Sequence, residues 1–256
     1  EWVEREIITV TLSGKHDLLN GFAIDWRLNG STGERESPFE REHFYEFNNG
    51  AYEFSRRQDS NYTNFSSLND DSSEAAVDFY YPIETEDLLI DFKFGLLRSE
   101  KNRQTDVKRY AFLPDFTNGA LFADQEFRRQ PINSIMHPQN FRYDRTGLVL
   151  QELSLNTDDY TGDMTIDAYY FSLETDISDQ LSLSIGARNE ESFIETNTQQ
   201  FFGNQTNIQS VDELDKLLPA LTLTYEFAEN MQVRIGFSET VSRPQFREMS
   251  PVLFVN

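Results

Sequence analysis

The sequence predicts an all-β fold: an antiparallel transmembrane β-barrel, part of a larger barrel, with about eight strands and long extracellular loops in this chain. Three observations carry that expectation. Large apolar residues alternate with polar or small ones in several segments, and a period of two places the two classes on opposite faces of a strand. The alternating segments come in pairs, with short turns inside each pair and long polar stretches between pairs. No run of eighteen apolar residues exists, which excludes a helical membrane span, whereas a mean hydropathy of -0.59 suits apolar strands averaged with polar loops.

In chain order, the first pair sets Ile8, Val10 and Leu12 against Phe22, Ile24, Trp26 and Leu28, across a turn region at Gly14-Lys15-His16-Asp17. The second sets Ala75, Val77, Phe79 and Tyr81 against Leu88, Ile90, Phe92, Phe94 and Leu96, across Pro82 to Asp87. The third joins a strand within Thr165 to Thr175 to Leu181, Leu183, Ile185 and Ala187, across Asp176 to Gln180. Here Ile166, Ala168 and Tyr170 fall in one register and Phe171 and Leu173 in the other. A β-bulge near Tyr169-Tyr170 would reconcile them. The fourth pair is the clearest: Leu221, Leu223, Tyr225 and Phe227, then a break at Ala228-Glu229-Asn230, then Met231, Val233, Ile235 and Phe237. Thr222, Thr224, Glu226, Gln232, Arg234, Gly236 and Ser238 fill the alternate positions. Helical spacing fails there, because it would strand Leu223 and Phe227. Each apolar strand covers about 7 to 11 residues, near the roughly 9–11 that cross a bilayer when tilted.

The long connections run from about Asn29 to Glu74, Arg98 to Met164 and Glu190 to Lys216. Short turns on one side and long loops on the other give a barrel its sidedness. Phe44, Tyr45, Phe47, Tyr52 and Phe54 in the first connection, and Tyr110, Phe112, Phe116, Phe122 and Phe127 in the second, predict packed loops or strands that continue above the membrane. Some of these aromatics could instead stack on a ligand. Asn69-Asp70-Asp71-Ser72-Ser73-Glu74 is the expected mobile tip. Pro244, which cannot donate to a ladder, belongs at the rim where pairing ends.

Chemistry is mostly excluded. The absence of cysteine removes disulfides and thiolate sites. A net charge of -22 argues against a nucleic-acid partner, since a phosphate backbone needs clustered Lys and Arg. His16, His43 and His137 are too scattered to suggest a ligand pair, and no nucleophile elbow, phosphate loop or zinc-protease helix appears. Asp158 to Asp163 resembles a calcium loop only in its acidity, and reads as a polar turn before a strand. No catalytic, cofactor or metal residue is assigned, no cofactor is expected, and the substrate-binding residues remain open. Arg27, Lys93, Glu226, Arg234 and Arg188 are expected to face the lumen, pairing with one another or with a plug.

The stretch Leu217 to Pro251 resembles the barrel of TonB-dependent outer-membrane receptors. The resemblance lies in the strand opening Leu218-Pro219-Ala220-Leu221, in Met231 to Arg234 after a tight turn, and in the exit Ser242 to Pro251, with Met249 where Leu is common. Asp159-Tyr160 through Arg188, and Phe94-Gly95 running into Arg98 to Arg103, are similar in kind. The resemblance implies a barrel of twenty-two strands around an N-terminal plug domain, in the outer membrane of a Gram-negative bacterium. It implies energy-coupled uptake of a small nutrient such as a siderophore or carbohydrate. The partners would be TonB, the plug, the nutrient and outer-membrane lipid. Residues 1–256 would be one partial barrel domain, with plug and closing C-terminal strands outside it: Glu1 is no start Met and the pattern is still running at Asn256. Such a receptor is not an enzyme. A soluble all-β carbohydrate-binding module and an outer-membrane barrel enzyme are the alternatives.

Overall fold

The computed structural model describes residues 2–57, 61–86, 88–114, 120–144, 146–199 and 207–250. Its strands are β1 (Trp2–Asp17), β2 (Ala23–His43), β3 (Tyr45–Asn48), β4 (Ala51–Phe54), β5 (Asn61–Glu84) and β6 (Leu89–Pro114). After these come β7 (Leu148–Glu152), β8 (Tyr160–Ser178), β9 (Leu181–Gln199), β10 (Asn207–Ala228) and β11 (Met231–Ser238). The helices are single turns: α1 (Ala120–Ala123), α2 (Gln125–Arg128), α3 (Ile132–Ile135) and α4 (Phe246–Met249). Eight strands lie side by side in the order β1-β2-β5-β6-β8-β9-β10-β11, β7 adds to β6, and β3 pairs with β4 in a separate hairpin. The expected four hairpins are therefore present and adjacent. Among the described residues, strands β1 and β11 are the edges, each with one neighbour.

The chain divides into two compact units. One holds 7–33, 69–104 and the chain from Tyr160 on, and carries all four short turns. In it, Leu221 sits opposite Ile185 on one side and Phe237 on the other, and Leu223 opposite Leu183 and Ile235. Leu173 faces Ile185 in turn, so one sheet face is apolar from β8 to β11. Among the described residues no second sheet covers it: Val233, Ile235 and Phe237 are 50–61% exposed. The alternate positions, Glu174, Ser184, Thr222 and Gly236, are small or polar and lie in matching register.

The other unit holds 34–68 and 105–159. Phe54, Phe122, Phe127, Ile135 and Leu148 form its core, with Tyr45, Ile132, Met136 and Phe141 packed against them. Asn49 and Gly50, both at positive φ (47° and 82°), make the two-residue turn of the β3–β4 hairpin. That turn type matches strand twist and needs residues that tolerate the left-handed region. The aromatics of the first two connections thus pack a small subdomain, although Phe47 and Tyr52 pair with each other at its surface. Phe116 lies outside the described residues.

Three expectations need correction. Asn69 to Glu74 is no mobile tip: it lies inside β5, and Arg103 and Lys101 hold Asp70. A strand with water on both faces has no reason to alternate apolar and polar, so its sequence reads as a loop. The first turn is Leu18 to Phe22, since β1 continues through Asp17. No bulge interrupts Tyr169-Tyr170: β8 stays in register with β9 from Tyr160 to Asp176 and shifts only between Asp176 and Ser178. Ile166, Ala168 and Tyr170 belong to the polar face, opposite Ser192, Glu190 and Arg188.

Candidate functional site: a polar sheet face and its strap

Side chains of alternating parity meet across the polar face and tie the strands together. Arg27 on β2 reaches Glu74 and Asp78 on β5, at 3.6 Å each. The Tyr170 hydroxyl of β8 donates to Asp78 at 2.8 Å, spanning β6 above Gly95. Lys93 on β6 meets Glu174 on β8 at 2.9 Å. Further along the same strands, Arg103 Nε donates to Asp70 at 2.8 Å and Lys101 Nζ lies 3.3 Å from it. Burial alone would raise the Asp70 pKa, but the hydrogen bond and charge of Arg103, with Lys101, outweigh it and hold the carboxyl low. The hydrogen bond to Asp70 likewise raises the Arg103 pKa against its own desolvation.

Of the lumen residues expected from sequence, Arg27 and Lys93 take part in these pairs, and Arg188 pairs with Glu190 two residues along β9. Arg234 instead donates to Thr224 at 3.2 Å across the β10–β11 pair, and Glu226 contributes a backbone N–H to Gln180. The sequence reading missed Asp70, Asp78, Glu174 and Glu190. Their signal was the parity of β5, β8 and β9, which became readable only once the strands were in register.

Beyond Ser238 the chain leaves the sheet and folds as a strap, with Pro244 in it as expected for a residue past the last ladder bond. Arg243 pairs with Glu190, which also accepts from Arg188 Nε at 2.5 Å. Phe246 packs into a cluster with Tyr160 and Ile194 and is 5% exposed. Its ring lies over Gly162, where an added Cβ would come within 2.6 Å of it, and Arg103 stacks on it at 5.7 Å. Gln245 and Glu248 form a capping box that starts α4. Among the described residues, the hydroxyls of Ser192 and Thr196 on β9, and the Ser250 hydroxyl and Arg243 Nε in the strap itself, are buried with no protein hydrogen-bond partner. This face can hold a polar filling or let one pass, and the strap covers part of it.

The second unit has its own polar pocket, about 580 Å³, lined by Glu46, Asn48, Glu53, Arg56 and Arg128 among others. Glu53 is 2% exposed and bonded to Gln125, Arg128 and Arg129. The Gln125 hydrogen bond and the two guanidinium groups hold its carboxyl below the usual range, against its desolvation.

The remaining candidates are dispersed. His16 accepts from the Trp26 indole at 3.1 Å, His43 lies beside Phe54, and His137 caps a turn through Gln139. Asp158 accepts from the Leu155 N–H and lies 3.6 Å from Arg109, and Asp159 accepts from the Val107 N–H and lies 3.4 Å from Lys108, so both carboxylates are engaged by neighbouring protein groups. The three histidines do not meet.

A sheet of paired strands, with one face apolar and open and the other polar and ion-paired, defines a transmembrane β-barrel segment. Residues 5–255 match the family described as TonB dependent receptor-like, beta-barrel, and the chain belongs to that family. No curated protein matches. Among solved structures, the siderophore receptor PiuA from Acinetobacter baumannii is similar with a TM-score of 0.62 and 12% identity, over 96% of this chain and 34% of that one. The ferric-catecholate import receptor Fiu from K12 E. coli, in a closed form, gives 0.59 and 12% over 92% and 33%. The ferric citrate transporter FecA, unliganded, gives 0.53 and 9% over 91% and 26%. At such identities the likeness is one of fold. The chain spans about a third of the length of PiuA.

Proposed function

We propose that this chain is a wall segment of a receptor in a Gram-negative outer membrane that imports a small nutrient, driven through TonB. The observation that carries the reading is the parity of the sheet: apolar side chains open to the surroundings on one face, ion pairs on the other. A soluble carbohydrate-binding module would bury Val233, Ile235 and Phe237 between sheets, and they are uncovered. Family membership and the receptors that share the fold support the uptake role. The plug, the TonB-contacting segment and the closing strands belong, in this reading, to parts of the protein outside residues 1–256.

The ligand class follows from the neighbours only as a starting choice, namely iron chelates of the siderophore or citrate type. No bond-making step is assigned. The test is uptake of radiolabelled ferric chelates by cells carrying the intact receptor, with and without TonB. Accumulation that requires both supports the proposal. Equal accumulation in cells lacking TonB overturns it.

A further inference from the structure

The strap from Glu239 to Ser250 is fastened to the sheet by side chains far more than by its backbone. The Glu239 N–H donates to the Pro219 carbonyl at 3.0 Å. Beyond it, among the described residues, the strap's backbone hydrogen bonds close within α4. Glu248 and Met249 donate to the Gln245 carbonyl, and Ser250 donates to that of Phe246. The capping box adds a bond from the Gln245 N–H to the Glu248 carboxylate at 2.8 Å. A turn that satisfies its own polar groups can leave a surface as one body without stranding a backbone donor.

Two side-chain ties hold it down. Phe246 fills the notch at Gly162, with Met249 packed against the same cluster. Arg243 holds one carboxylate oxygen of Glu190 while Arg188 holds the other. This second tie is replaceable. Lys216 stands directly opposite Glu190 in the β9–β10 register, and among the described residues it has no ion pair of its own. Directly opposed side chains have Cβ atoms about 5 Å apart, within reach of a lysine. If Arg243 leaves, Glu190 keeps Arg188 and has Lys216 at hand, so no buried charge is abandoned. The Arg243 side chain is 20% exposed, so a solute can reach it. Of the buried β9 side chains on this face, Glu190, Ser192, Ile194, Thr196 and Thr198, only Ile194 is apolar, and water can wet what the strap uncovers.

We propose that the strap is a releasable latch on the polar face, opened when Arg243 exchanges Glu190 for a carboxylate of an entering solute. A carboxylate offers the two-oxygen edge that a guanidinium fork takes, which chloride cannot do. Phe246 then leaves its notch with α4 as a unit, and Lys216 moves onto Glu190. Seated and released are two states of one segment, and the solute favours release by as much as it prefers the freed guanidinium. The inference rests on how the strap is fastened and is independent of which nutrient, if any, is imported.

The experiment follows maleimide labelling of Ser250→Cys in the intact receptor in detergent. Ser250 is 5% exposed, and residues 1–256 contain no cysteine to compete. Any cysteine elsewhere in the receptor is changed to serine. Succinate is the solute probe, with sodium chloride at equal ionic strength as the control for screening. Labelling is expected to be slow in chloride and at least about fivefold faster in saturating succinate. With Arg243→Gln added, it is expected to be fast in both media and indifferent to succinate. Hydrogen exchange of 240–250 in the wild-type receptor reads the same release and is expected to rise with succinate. It keeps the test decisive if either variant fails to fold. Equal labelling and exchange in succinate and chloride would mean a fixed strap and overturn the proposal. So would a succinate response that survives Arg243→Gln. Uptake is not read in any arm, so failure here leaves the transport reading untouched.

Discussion

At the scale of single residues, the most consequential groups are charges held away from water. Glu53 is the clearest, enclosed by Gln125, Arg128 and Arg129. Its pKa is lowered in the folded chain from an ordinary 4.5. The stabilisation it provides is therefore complete above that ordinary value and is lost as pH falls through the lower folded value. Hydrogen-exchange protection of 120–144 is expected to hold at pH 6 and to fall off below about pH 4. Glu53→Gln should remove the acid-dependent step and lower protection at every pH, because Arg128 would keep a buried guanidinium without its carboxylate. An unchanged acid profile in that variant would mean other carboxylates carry the effect. Little of this was legible in the chain. Glu53 stands among forty-four acidic residues, and only the fold of α2 against β4 singles it out.

At the scale of elements, alternation decides which side chains meet lipid. Ile235 sits near the middle of β11, on the same face as Leu223, whereas Thr222 lies on the opposite face with Gly236 and Ser184. Ile235→Arg is expected to cost about 2–4 kcal/mol of folding free energy in a bilayer, and Thr222→Lys less than about 1. Urea titration of the intact receptor in lipid vesicles measures both. Equal costs would mean the faces are misassigned. The hairpins were readable because hydrocarbon on one side imposes a strict period. Their extensions were not. Asn207 to Lys216 and Glu190 to Gln199 pair continuously, opposing Ser210 to Thr196 and Asp212 to Ile194, but the face of β9 that is buried there, Glu190, Ser192, Ile194, Thr196 and Thr198, is mostly polar and so prints no apolar period. The ladder is held there by backbone hydrogen bonds, which leave no mark on composition. Strand β10 does carry one visible irregularity, Pro219. It sits where pairing with β11 runs out, and its carbonyl accepts from Glu239 at 3.0 Å. The subdomain of 34–68 and 105–159 was foreshadowed by its aromatics, though its helices, each a single turn, were too short to show a period.

At the scale of the whole molecule, edges and charge compete. Among the described residues strands β1 and β11 each have one neighbour, and in hydrocarbon an unpaired backbone group costs several kcal/mol. Residues 1–256 expressed alone are therefore expected to form mixed oligomers in detergent, measured by sedimentation velocity, while the intact receptor sediments as a single species. A monodisperse monomer of the fragment would show that its edges are satisfied internally. The net charge of -22 does not rescue the fragment in water, because the apolar face remains open however acidic the loops are.

The strap from Glu239 to Ser250 has one more implication. In the seated strap the hydroxyls of Ser192, Thr196 and Ser250 are buried without a protein hydrogen-bond partner among the described residues, and a hydroxyl whose bond goes unmade carries a penalty of about 1–3 kcal/mol. That penalty pushes back against Phe246 in its notch and Arg243 on Glu190. Any solute that wets those three oxygens lowers the work needed to lift the segment off its strand.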